Sequence, residues 1–589
     1  MSNQNSTGIK NGYKWTLVIC LLLIQQIFII KSIQYKAAAT DEPIFLSSGY
    51  SMWKTGDYRM FPEHPPLSKL LFALPLLFLP LESHINTDKW KSAELWGYGH
   101  DFLYNNTVDA DRILFLGRLP SALITFLLGI LIFLWASEIF GLTPGFLSLA
   151  VYSIEPNILA WGGIAMAEIP CTFFLTLTIY FYWLFSKKYK YIYLILTGIF
   201  AGLTTATRFP AALIFPILFV LTFWIWIWRD RKEKLSRILL LFGIICILGI
   251  ISLAATYRFT EFHYYFTCLK QQFNRLIFPV PGGCFFNGQK MPTGPWYYYF
   301  YAIAIKTPIS ILILYITGLI SVVLTIIKEK QKQDVYNNII FILVPIVVWL
   351  TFGSISSAKA ARYVLPVYPC LIMSAGYILY RKTAVRIISV AVLCCWAFLN
   401  TLSSYPHFFS YFNEFVGGSK NGYKYLVDSN LDLGQDIKLL KTKIKPEDRI
   451  ITAYLGNADL KYYGIKSQVF MNVSLGVPID RDFVYPLSFP PSREILVMST
   501  SLLQMEWKSV EQRWLEWLLR YTPYDNLGYS ILLYDITNNA GMQEELAKHC
   551  MDFQMWRSAI YHWTRVLQIN PKRTDVNSYI RYAYKKIKQ

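Results

Sequence analysis

Charge is what this sequence has least of. Only 16% of its 589 residues are Asp, Glu, Lys or Arg, against 54% hydrophobic ones. A soluble chain of that length would carry more charge and divide into several domains. Acids are the scarcer sign, 37 against 56 basic residues, a surplus that could point to nucleic acid. The basic residues gather in short loops between apolar runs, however, so no nucleic-acid partner is expected. Cysteine is sparse too. Cys20, Cys171, Cys246, Cys370, Cys394 and Cys395 lie inside apolar runs, where they read as small apolar residues and not as metal ligands. Cys268 and Cys284 share one loop, and their pairing is left open. CxxC, HExxH and P-loop patterns are all missing, so no zinc or nucleotide motif competes for the reading. The first apolar run, Trp15 to Ile33, is too long for a signal peptide and lacks a small-residue cleavage site, so it is expected to stay as an anchor.

What is present is long apolar runs. A window of about 20 residues places spans near 14–34, 112–136, 143–161, 168–186, 190–206, 209–228, 238–256, 308–327, 338–354, 363–380 and 386–402. The fold class expected is an α-helical polytopic membrane protein of about eleven spans. Alternate loops then share the side of the N-terminus. Those loops carry Lys187, Lys188 and Lys190; Arg229, Arg231, Lys232, Lys234 and Arg237; Lys328, Lys330 and Lys332; and Arg381, Lys382 and Arg386. The positive-inside rule makes that side cytoplasmic. The large loops 36–111 and 257–307, and everything after residue 402, fall outside.

Within the first outer loop, Leu70 to Leu81 is apolar but too short to span, and reads as interfacial or packed against the bundle. The second outer loop is rich in Tyr, Trp and Phe, as in GPWYYYFYAIAIKTP. Aromatics at this density suit the headgroup level, as an anchoring surface or as a wall facing a lipid-linked substrate. Residues 1–402 thus form the membrane module. Residues 403–540 alternate β-like runs with helical patterns, which predicts an extracytoplasmic α/β domain. Residues 541–589 are helical throughout. Trp556, Ala559, Trp563 and Leu567 form one stripe there, resembling a tetratricopeptide-type hairpin. So short a tail caps the preceding domain or offers a protein contact.

Charges of both signs recur at the outer ends of the spans. Asp41 and Glu42 follow the first span, Glu168 opens AEIPCTFF, Arg208 sits in TRFP, and Arg362 begins RYVLPVYP. Taken singly, Arg208 or Arg362 would read as snorkelling to headgroups. Taken together on one face, ionisable residues at the membrane edge are functional candidates. Acids beside fixed cations suit group transfer from a phosphate-linked donor. A base takes the acceptor's proton, while cations hold the phosphate and stabilise the charge it gains.

The order TDEP, EHPPLSKLL, RLPSALI, AEIP, TRFP, GPWYYYF…IKTP and ARYVLPVYP resembles the protein O-mannosyltransferase and aminoarabinose-transferase superfamily. YKYLVDSNLDLGQDIKLLK resembles the SNLDWGQD signature found after the last span in many bacterial members, with Leu433 where Trp is usual. The resemblance covers roughly residues 14 to 535. It implies a GT-C glycosyltransferase using a polyprenyl-phosphate sugar donor and an extracytoplasmic acceptor, inverting by single displacement, in contact with membrane lipids. It implies Asp41 as base, with Glu42 orienting the acceptor or tuning Asp41. His64 and Glu168 would shape the acceptor site. Lys69, Arg118 and Arg362 would contact the donor phosphate, joined by Arg208 on topology and charge. A divalent metal at the outer carboxylates is left open, because acids without fixed spacing do not establish one. The bacterial signature implies a bacterial cytoplasmic membrane, against which the sequons Asn105-Asn-Thr and Asn472-Val-Ser count weakly. Two other classes compete. A transporter or flippase is disfavoured by the lack of an internal repeat and of a matching pair of broken spans. A non-catalytic scaffold leaves the outer charge cluster without purpose.

Overall fold

The computed structural model describes residues 2–228, 234–278, 283–328, 333–472, 483–487, 491–505 and 514–589. Arg229, Arg231, Lys232, Pro281-Gly282, Lys330, Lys332 and the Val473-Ser474 part of the second sequon lie outside the described residues. Among those described, nine helices are long and apolar enough to cross a membrane: Gly12–Gln34, Ala110–Phe140, Glu168–Lys188, Phe209–Ile227, Leu235–Thr256, Ile309–Ile327, Val335–Ile355, Ala361–Tyr380 and Ala384–Ser403. Two other expected spans are the shorter apolar helices Leu142–Ile154 and Tyr191–Thr205. At 1.5 Å per residue they rise roughly 20 Å, less than the ~30 Å hydrocarbon thickness.

The helices are not equivalent. Ala361–Tyr380 has 89% of its apolar window buried by protein, whereas Ala384–Ser403 has 17%. The first is central and brings its N-terminal residues into the middle of the molecule. The second is peripheral and presents Val385, Ile388, Val392 and Leu399 outward. The first outer loop folds as short helices, chiefly Glu42–Thr55, Pro66–Ala73 and Leu95–Tyr104. Pro66 starts the second of these at a position where a missing N–H costs nothing. The two helices on either side of His64 meet so closely at Gly49 that a Cβ there would lie 2.1 Å from the Lys69 carbonyl oxygen.

The second outer loop holds the helix His263–Ile277 and a small hairpin, β1 (Cys284–Phe286) against β2 (Gln289–Met291). Cys268 and Cys284 are both buried free thiols. Beyond the last span, five strands form one sheet: β3 (Arg449–Tyr454), β4 (Gln468–Asn472), β5 (Glu494–Ser499), β6 (Asp525–Leu527) and β7 (Ile531–Asp535), in the order β4-β3-β5-β7-β6. β3 runs parallel to β4 and β5, while β7 is antiparallel to β5 and β6. β3 and β5 are buried along their whole length, which is why they read as continuous apolar runs. The tail helices Ala540–Asp552 and Trp556–Ile569 cover this sheet. Met542, Leu546, Ala559, Trp563 and Val566 join Ile451, Leu496 and Leu532 in one core. Arg565 Nε donates to the buried carboxylate of Glu494 at 2.8 Å, and Gln543 Nε2 does so at 3.0 Å.

Candidate active site

The short stretch between the first span and Glu42–Thr55 turns on one buried ion pair. Arg118, in the helix Ala110–Phe140, meets Glu42 through both carboxylate oxygens, at 2.8 and 2.6 Å. Its other N–H groups donate to the carbonyls of Ile33, Lys36 and Ala37 at 2.8–3.3 Å. All five guanidinium donors are occupied. Glu42 accepts two more bonds, from the backbone N–H groups of Ala39 at 2.8 Å and Ala165 at 2.9 Å. Glu42 is fully buried and Arg118 almost so. Neither has a lone pair or a proton to spare for acceptor or donor. The pair instead ties the loop bearing Asp41 to the loop bearing Glu168, which differs from the roles the resemblance implied for both residues. The physical reason is charge burial, since an ion pair removed from water must satisfy itself completely.

Lys69 also departs from expectation. Its ammonium is buried and donates to the Phe61 carbonyl at 2.8 Å. Burial pulls its pKa down to about 7, so at neutral pH its charge is not dependable for gripping phosphate. His64 lies beside it, its ring 5.1 Å from Phe45 and 5.0 Å from Phe61. The His-Pro-Pro element is a packed corner. It is docked on the next loop by Leu67 N–H donating to the Ala206 carbonyl at 3.0 Å, two residues before Arg208.

The remaining four residues come together as a line of alternating charge. Arg208 Nη1 donates to Glu168 Oε1 at 2.9 Å. The same oxygen is 3.6 Å from Arg362 Nε, and Arg362 Nη1 is 4.0 Å from Asp41 Oδ2. The ring of Tyr363 lies against both guanidinium groups, its centre 4.4 Å from that of Arg208 and 5.3 Å from that of Arg362. Arg362 Nε and Nη1 and Glu168 Oε2 are buried without a hydrogen-bond partner among the described residues. Arg362 Nε and Nη1 thus face carboxylates at ion-pair distance without a hydrogen bond to either, which leaves them able to turn to an incoming anion.

Asp41 is the N-cap residue of Glu42–Thr55, but its side chain makes no capping bond. Its backbone carbonyl alone receives the N–H groups of Ile44 and Phe45, which leaves the carboxylate directed at chemistry outside the helix. Burial raises its pKa to about 6. Arg362 opposes that rise, while Glu168, Asp428 and Glu63 add to it. A carboxylate poised near neutral pH has the affinity a general base needs.

Asp428 was not singled out by sequence. It stands just before the SNLDLGQD segment, in a left-handed backbone conformation (φ +59°). Burial raises its pKa against the pull of Arg362. The signal in the sequence that points to it is its position immediately before that segment. Among the described residues, no three His, Cys, Asp or Glu side chains form a group able to hold a metal.

Residues 16–266 match the family model described as dolichyl-phosphate-mannose-protein mannosyltransferase, a stretch that includes Asp41, Glu168 and Arg208. This agrees with the resemblance drawn from the motifs. No curated protein sequence matches. Among solved structures, the chain is similar to ArnT from Cupriavidus metallidurans bound to undecaprenyl phosphate. The identity is 13%, over 88% of this chain and 97% of that one, with a TM-score of 0.45. It is similar to the S. cerevisiae Pmt1-Pmt2 complex bound to the sugar donor, at 16% identity over 46% of this chain and 36% of that one, with a TM-score of 0.32. It is also similar to the oligosaccharyltransferase AglB from Archaeoglobus fulgidus in complex with an inhibitory peptide and a dolichol-phosphate. There the identity is 10%, over 96% and 87% of the two chains, with a TM-score of 0.46.

Proposed function

We propose that this chain is a membrane glycosyltransferase that moves a sugar from a polyprenyl-phosphate donor to an extracytoplasmic acceptor by a single inverting displacement. The observation that carries the reading is Arg362. Its Nε and Nη1 make no hydrogen bond among the described residues, and it lies 4.0 Å from a carboxylate whose pKa is raised to about 6, in a chain whose residues 16–266 match the mannosyltransferase family model. In this reading Asp41 accepts the proton of the attacking acceptor hydroxyl. Arg362 donates to the donor's phosphate and stabilises the negative charge that grows as the sugar–phosphate bond breaks. Glu168 and Arg208 hold Arg362 in place from behind. Glu42, Arg118, Lys69 and His64 shape the loop and leave the chemistry to Asp41 and Arg362.

The positive-inside distribution of loop charge supports placing the site and the C-terminal domain on the extracytoplasmic side, and the SNLDLGQD segment favours a bacterial cytoplasmic membrane. The last tail helix, Val576–Lys588, leaves Tyr579, Tyr582 and Tyr584 about half exposed, the first two with their rings against Trp563 and Trp556. That is where a protein contact through the tail would form.

The test is direct. Purified full-length protein is incubated with undecaprenyl-phosphate-linked mannose, glucose, galactose and aminoarabinose, and release of undecaprenyl phosphate is followed with and without periplasmic extract. Release from one donor that is lost in Asp41→Asn is the expected result. Translocation of the lipid-linked sugar across proteoliposomes without its cleavage would establish a flippase instead.

A further inference from the structure

Two chains of hydrogen bonds leave the segment 430–436 and end on the two sides of the site. On one side, the Asn430 side-chain oxygen accepts the backbone N–H of Ala361 at 2.7 Å, the residue immediately before Arg362. On the other, the Leu433 carbonyl accepts the backbone N–H of Thr40 at 2.9 Å and its hydroxyl at 3.0 Å, immediately before Asp41. The Gln435 carbonyl accepts Ala37 N–H at 2.8 Å, and Asp436 pairs with the buried ammonium of Lys36.

The segment between these contacts is braced at almost every residue. Asn430 Nδ2 donates to the Val427 carbonyl at 2.7 Å, and Lys306 donates to the Asn430 carbonyl. Asp432 accepts Gly434 N–H at 3.0 Å and Ser501 N–H at 3.2 Å. Gln435 closes on its own turn through Leu433 N–H at 2.7 Å and the Leu431 carbonyl at 3.1 Å. Gly434 has φ +78°, and a Cβ there would meet the Leu455 carbonyl oxygen at 2.5 Å, so the turn tolerates no side chain. Asp436 accepts the Ser530 hydroxyl at 2.7 Å, fastening the segment to the sheet domain.

We infer that residues 430–436 form a positioning bracket, which sets the separation of Arg362 and Asp41 from one rigid piece of the extracytoplasmic domain, with Asn430 the positioning residue for Arg362. The inference rests on the roles given above to Asp41 and Arg362. Arg362 stands in the 3₁₀ turn that opens the span Ala361–Tyr380, Asp41 stands at the N-cap of Glu42–Thr55, and their side chains approach only to 4.0 Å. A shift of ~1 Å between reacting groups can cost on the order of 10²-fold in rate, so a shared support has a clear purpose. Attachment of the domain to the bundle alone would need the Lys36–Asp436 pair and not a bond aimed at the one N–H preceding Arg362.

The experiment is a double-mutant cycle on full-length protein, read as the affinity for undecaprenyl phosphate. Asn430→Ala is expected to weaken binding about tenfold, the scale of one lost hydrogen bond. In the Arg362→Ala background, Asn430→Ala should add no further loss, because its effect passes through Arg362. Unchanged affinity in Asn430→Ala, or losses that simply multiply, would overturn the bracket. If Asn430→Ala does not give monodisperse protein, Tyr298→Phe takes its place. It removes only the phenol's 3.3 Å bond to the same oxygen, and a smaller loss with the same non-additivity is expected. If Arg362→Ala binds undecaprenyl phosphate as the wild type does, the phosphate reading of Arg362 fails separately. The bracket is then judged on the acid limb of turnover. A displaced Arg362 leaves Asp41 facing Glu168, Asp428 and Glu63 without its nearest cation, so the limb must move to higher pH. An unmoved limb overturns the bracket.

Discussion

Asp41 and Glu42 are neighbours in sequence with opposite fates, and the difference is measurable. Asp41→Asn should lower kcat by ~10²–10⁴-fold, the usual cost of losing a general base, with little change in donor KM. Its carboxyl titrates near 6, above the ordinary 3.8, so the ionised form is present only above that pH, and kcat/KM should fall as pH drops through about 6. The sign for stability is the reverse. A raised carboxyl pKa makes ionisation costly to the fold as pH rises through about 6, so Asp41→Asn should be at least as stable as wild type at pH 8. Glu42→Gln should behave differently. It leaves the Arg118 guanidinium buried without a counter-charge, a loss of about 3–5 kcal/mol for a broken buried pair, seen as a lowered unfolding temperature at neutral pH. An Asp41→Asn variant that turns over normally, or a Glu42→Gln variant that unfolds at the wild-type temperature, would reverse the assignment of these two acids.

At the scale of elements, the site depends on how closely two short helices approach. Gly49 of Glu42–Thr55 lies against the backbone of Pro66–Ala73 at Lys69, with no room for a methyl group. Gly49→Ala should therefore separate the helices, cost roughly 1–3 kcal/mol in overpacking strain, and lower the yield of folded protein in detergent. Gly243 has nothing within 4 Å of an added Cβ, and Gly243→Ala should leave both yield and unfolding temperature unchanged. Equal behaviour of the two variants would mean that this helix contact does not hold the outer loop together.

Across the whole molecule, the sheet domain is joined to the membrane module through the Lys36–Asp436 pair and completed by the tail. The tail contributes Met542, Leu546, Trp563 and Val566 to its core, Arg565 pairs with the buried Glu494 on β5, and Gln543 hydrogen-bonds the same carboxylate. Removing residues 542–589 should therefore unfold the sheet domain. Because the 430–436 bracket is fastened to the same sheet, release of undecaprenyl phosphate should fall with it. A truncated protein that is well folded and fully active would show that the tail is independent of the site. Orientation is tested by cysteine labelling at position 232 and at the C-terminus, which should report opposite sides of the membrane. The same side for both would break the sidedness on which the outer site depends.

The apolar runs and the β-like runs after residue 402 were sufficient to read a helical membrane protein with a sheet-containing domain beyond its last apolar helix. They sufficed because hydrophobicity acts locally and is written in consecutive residues. The candidate acids and arginines were also legible, because ionisable groups at the ends of apolar runs are rare enough to stand out. Their division of labour was not. Whether Arg118 or Arg362 keeps free N–H groups depends on which carboxylate and which carbonyls surround each, and those partners lie tens to hundreds of residues away. Asp428 and the bracket from Asn430 to Asp436 were hidden for the same reason. Their contacts with Ala361, Thr40 and Ala37 are formed by backbone groups brought together only when the sheet domain closes on the bundle. Residue type and spacing set what could carry charge at the membrane edge, and tertiary packing decided which of those charges was already satisfied.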